Sequence, residues 1–68
     1  MGPIDRLILQ KLLAKDMHSR SFHRAKAVVR RLEVKGWLYR FSPTGSNMKN
    51  YLRISADGRV ALQQDSQP

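Results

Sequence analysis

The chain has 68 residues, 41% of them hydrophobic, and no cysteine. That composition allows one small domain with a modest core, excludes disulfides, thiolate catalysis and zinc fingers, and leaves little room for an enclosed substrate cavity. The formal net charge is +8, which favours a polyanionic partner.

Apolar runs are far too short to span a bilayer, and the basic helix has no broad bulky apolar face left over after core packing to lie on an anionic membrane, so no membrane role is expected. The opening Met-Gly-Pro-Ile-Asp-Arg has neither the basic lead nor the long apolar stretch of a secretion signal. A cytoplasmic, nucleoid-associated location is the expectation. The charge is concentrated: residues 17–40 carry seven Lys/Arg against the single acid Glu33, while the segments on either side are close to balanced.

In chain order, Pro3 suits a helix start. Ile4, Leu7, Ile8, Leu12 and Leu13 then repeat as the one-sided stripe of an amphipathic helix over about 4–15. His18 is read as a loop residue. Ser19 and Ser21 are candidate N-caps. A second stripe, Phe22, Ala25, Val28, Val29 and Leu32, predicts a helix over about 20–35, stopped by Gly36. Trp37–Phe41 and Tyr51–Ile54 read as strands joined by the turn-forming loop 42–50. Ser55 caps a last helix, with Val60, Ala61 and Leu62 as its core contacts and Asp57 in its first turn. The tail 63–68 is expected to fray, leaving an ordered core of about 4–62 in a single domain. The predicted class is α+β, in the order α-α-β-β-α, with a two-stranded hairpin.

On a helical wheel the second stripe covers about 120°. Arg20, His23, Arg24, Ala27, Arg30 and Arg31 fall on the opposite side. Such a helix has a dry face and a cationic face, and the DNA major groove admits one helix. Arginines near its start can reach base edges, later ones phosphates, and the small Ala27 permits close approach. The bland alternative is a solvated face, but such faces usually mix acids with bases.

The stretch Val28-Val29-Arg30-Arg31-Leu32-Glu33-Val34-Lys35-Gly36-Trp37-Leu38-Tyr39-Arg40 resembles the end of the recognition helix in winged helix-turn-helix regulators of the MarR and PadR kind. Their helix runs through a Leu-Glu-x-x-Gly segment into the first wing strand. The stretch Tyr51-Leu52-Arg53-Ile54-Ser55-Ala56-Asp57-Gly58-Arg59-Val60-Ala61-Leu62 is similar to their second wing strand and the Thr-x-x-Gly start of the next helix, with Ser55 in the threonine's place. With helix one, the resemblance covers about 4–62. It implies that Ser19, Arg20, Ser21, His23, Arg24, Ala27, Arg30 and Arg31 meet the major groove. It implies that the wing, 42–50, touches backbone or minor groove through Ser46, Asn47 and Lys49, while Arg40 and Arg53 meet phosphates from the strands. One departure stands out. A standard winged helix has a separate short helix before the recognition helix, and here only residues 16–20 are free for it.

Other chemistry is poorly supported. His18 and His23 are five apart and lack the further ligands of a zinc site. No carboxylate pair has acid–base spacing, and no glycine loop cradles phosphate. No metal, cofactor or enzymatic activity is expected. Trp37, Tyr39 and Phe41 alternate along one strand and so share a face. That face is either a core face or a stacking platform for single-stranded nucleic acid, and core is the expectation. The function expected is duplex DNA binding by a small transcriptional regulator, acting as a monomer or weak homodimer. Two alternatives stay open: a protein-interaction or inhibitor module whose basic face binds an acidic protein, and an RNA-binding module.

Overall fold

Pro3 opens α1 (Pro3–Ala14), with Asp5 in the favourable first turn. The computed structural model describes residues 1–65. After α1 the chain forms a two-residue strand, β1 (Met17–His18), then 3₁₀ turns over Ser19–Ala25, then α2 (Lys26–Val34). Two strands, β2 (Leu38–Phe41) and β3 (Tyr51–Ile54), precede the last helix, α3 (Ala56–Asp65). The class is a small α+β domain. Among the described residues no helix is long and apolar enough to cross a membrane.

Four expectations about the elements change. The sheet has three antiparallel strands in the order β1-β3-β2, not two. Met17 pairs with Leu52 and His18 with Tyr51, and the Ser19 N–H donates to the Asn50 carbonyl at 2.7 Å. His18 is therefore a strand residue, not a loop residue. The helix expected over 20–35 is broken. Phe22 (φ −119°, ψ 30°) and Ala25 (φ −127°, ψ 33°) leave helical geometry, so residues 19–25 form a separate short helical unit ahead of α2. Edge pairing of β1 fixes where the chain leaves the sheet, and the kinks turn it while keeping Phe22 in the core. Neither Ser19 nor Ser21 caps a helix here. The His18 Nδ1 accepts the Arg20 N–H at 3.0 Å and does that work for the 3₁₀ turns, and α2 starts without a side-chain cap.

The core gathers Ile8, Leu9 and Leu12 of α1 with Phe22, Val29, Leu32, Leu38, Leu52, Ile54 and Leu62. The buried stripe of α1 is Asp5, Ile8, Leu9 and Leu12, a clean i, i+3, i+4, i+7 set. Ile4, Leu7 and Leu13, expected inside, are about half exposed, as is Val60 of α3. In the sheet, Leu38, Leu52 and Ile54 point inward. Period-two alternation then sends Tyr39 and Phe41 to the outer face, with His18, Tyr51 and Arg53. The core reading of Tyr39 and Phe41 is thereby corrected. Only Trp37, before β2 begins, packs against the core.

Two glycines are required where they stand. Gly36 has φ +77° and ends α2: its N–H bonds to the Glu33 carbonyl, and the Trp37 N–H reaches back to Leu32. At Gly58 a Cβ would lie 2.0 Å from the Trp37 carbonyl oxygen. The cap expected at Ser55 is present: its Oγ accepts the Gly58 N–H at 3.0 Å and donates to the Gly36 carbonyl at 2.5 Å. The helix it starts runs through Gln63 and Gln64 to Asp65; of the tail expected to fray, residues 66–68 lie outside the described residues.

Candidate nucleic-acid interface

The basic middle segment does not form one face. Breaking the helix at Ala25 splits its side chains between two grooves, one on either side of the ridge that carries His23. The first groove, about 530 Å³, lies between the 3₁₀ turns, α2 and β2. Phe22 and Val29 form its apolar lining, and Arg20, His23, Lys26, Arg30 and Arg40 surround it. Lys26 and Arg30 are four apart on α2 and so stack on one side of the helix. Glu33 is the single acid in the lining. It accepts from Arg40 Nε through both carboxylate oxygens, at 3.1 and 3.2 Å.

Which cations remain available follows from where the acids are used. Asp5 pairs with Arg31, Asp16 with Arg53, Glu33 with Arg40, and Asp65 with Arg6. Among the described residues, no carboxylate forms an ion pair with Arg20, Arg24, Lys26 or Arg30. Four unpaired cations thus lie within eleven consecutive residues, three of them around the first groove. Lys26 was not among the residues singled out from the sequence. Its four-residue spacing from Arg30 is nonetheless a sequence signal that places the two on one side of the helix.

The other candidate residues are dispersed. Ser19 lines the first groove, and Ser21 and Arg24 line the second, toward α1. Ala27 is exposed on α2. Arg31 turns away from Arg30 and meets Asp5, whose side chain is only 4% exposed. Arg53 lies on the outer face of the sheet, with its guanidinium 4.4 Å over the Phe41 ring and Nη2 2.6 Å from Asp16. That pairing holds the Asp16 carboxyl below its ordinary range and raises the Arg53 guanidinium further above its own. In the loop 42–50, the Ser46 hydroxyl is 3.1 Å from that of Ser42 and accepts the Met48 N–H at 3.3 Å. Asn47 and Lys49 are exposed there. Among the described residues no cluster of His, Asp or Glu can hold a metal ion.

No family model, curated protein or solved structure matches this chain.

Proposed function

We propose that the protein binds double-stranded DNA and acts as a small transcriptional regulator of the winged-helix type. In this reading α2 faces the major groove, and the loop 42–50 is a wing against the backbone. The observation that carries it is a set of cations without acid partners among the described residues, Arg20, Lys26 and Arg30, around one groove beside an exposed helix side. Phosphate binding needs such cations, because each one that replaces a condensed counterion contributes a salt-dependent increment of affinity. The short helical unit 19–25 ahead of α2 also supports the reading, since the winged-helix resemblance calls for a separate short helix there. Ala27, small and exposed, lets the backbone of α2 come close to base edges.

The test is a fluorescence titration with a random-sequence duplex and a matched RNA at several salt concentrations. With three or four phosphate contacts, log affinity should fall against log salt with a slope of about −3 to −4. Changing Lys26 and Arg30 together to Ala should reduce that slope by about 2. A flat salt dependence, or a slope unchanged in the double variant, removes the DNA reading. Tighter binding to RNA than to the duplex at equal salt replaces it with an RNA-binding one.

A further inference from the structure

The second groove has a different chemistry from the first. It runs between α1 and the 3₁₀ turns, with a volume of about 280 Å³. Ile4 and Leu7 line the α1 side, and both are about half exposed. Phe22 and Met17 form much of the apolar floor. The polar residues around it are Lys11, Ser21, His23 and Arg24, and among the described residues no acid joins the lining. The nearest carboxylate on α1, Asp5, is buried and committed to Arg31. The space is at the small end for ligand pockets and suits one or two large side chains rather than a cofactor.

Three occupants can be weighed on this surface. A DNA duplex presents phosphates to the rim but has nothing to cover an apolar floor. A second copy of this chain can cover the floor, but it brings Lys11 and Arg24 of both copies together on molecules that each carry +8. A protein segment with carboxylates around a bulky apolar residue satisfies both parts at once. We propose that the groove between α1 and the 3₁₀ turns docks an acidic segment of another protein. One or two large apolar side chains of that segment sit against Leu7 and Phe22, and its carboxylates face Lys11 and Arg24. This surface adjoins the duplex-binding groove, sharing Phe22 and His23 with it, but Leu7, Lys11 and Arg24 line this groove alone, and the proposal does not rest on the DNA reading.

The experiment uses two fluorescein-labelled peptides of equal negative charge. Each is a short run of Glu and Asp. One carries a Leu-x-x-Phe pair, and the other has Ser at both positions. Fluorescence anisotropy should show the Leu/Phe peptide binding in the micromolar range and at least about tenfold tighter than the Ser peptide. Leu7→Gln, a substitution at an exposed helical position, should remove that difference while leaving duplex titrations unchanged. Amide shifts in NMR should move at Leu7, Lys11 and Arg24. Equal affinity for the two peptides, no binding by the Leu/Phe peptide, or an unaffected Leu7→Gln protein overturns the proposal. Sedimentation that shows self-association abolished by Leu7→Gln overturns it in favour of a second copy. Loss of duplex binding in the Lys26 and Arg30 variant has no bearing on these outcomes, so the two readings fail separately.

Discussion

Asp5 is the one charged side chain buried among the described residues, and its partner Arg31 comes from a different helix. Removing Arg31 leaves a carboxylate in the protein interior without its cation, whereas Arg30 makes no ion pair among the described residues. Arg31→Ala should therefore cost about 1–3 kcal/mol in urea denaturation, while Arg30→Ala should stay within about 0.5 kcal/mol. Only the second substitution is then a clean probe of nucleic-acid binding. Asp16 responds to acid instead. Arg53 holds its carboxyl below the ordinary value of 3.8, so its contribution to stability is full above that value and is lost as pH falls through the lowered one. Between about pH 4 and pH 2 the wild type should lose more stability than Asp16→Asn, measured by denaturation at each pH. Gly58 faces steric rather than electrostatic constraint. An alanine there meets the Trp37 carbonyl oxygen at 2.0 Å, and Gly58→Ala should cost about 3 kcal/mol.

Among the elements, the junction of α2, β2 and α3 is the most heavily tied. Ser55 accepts from Gly58, donates to the Gly36 carbonyl, and gives its N–H to Trp37. Ser55→Ala loses the cap and the donated bond together, and thermal or urea unfolding should show a loss of about 1–2 kcal/mol. This junction was legible in the sequence because Gly36 and Ser55 are local signals whose geometry depends on a few neighbours. Both hairpin strands, β2 and β3, and the extent of α1 were legible for the same reason. The inward face of α1 was not. Its stripe includes Asp5, which apolar patterning passes over, and that burial makes sense only with Arg31, twenty-six residues away, in place. The break at Ala25 was hidden because Phe22 and Ala25 lie on the core side either way. The third strand was hidden because two residues, Met17 and His18, carry no period of their own and pair only once β3 exists. The candidate groove was half legible. Its arginines stand out in the sequence, but no local pattern shows that acids of other elements hold Arg31, Arg40 and Arg53.

For the molecule as a whole, small size and high charge set the terms. A 68-residue domain has little stability to spare. Leu32 is fully buried, and Leu32→Ala should cost about 2–5 kcal/mol, enough to unfold much of the population at 37 °C. With a net charge of +8 and few acids, self-repulsion opposes folding. Added salt should therefore raise the melting temperature of the free protein while it weakens duplex binding, so the two salt responses have opposite sign. Calorimetry alongside the titration checks this.

Trp37 is the only tryptophan in the chain. It is half-buried at the α2–β2–α3 junction, with the Lys35 ammonium 4.6 Å from its ring centroid, and it lines neither groove. Its emission is thus an intrinsic optical gauge of whether that junction is closed. Unfolding exposes the indole to water and withdraws the nearby cation, shifting the spectrum to the red, while ligands seated in either groove leave it dark to their presence. Stability can then be read from the intrinsic emission in the same cuvette in which a labelled ligand reports binding, without one signal contaminating the other.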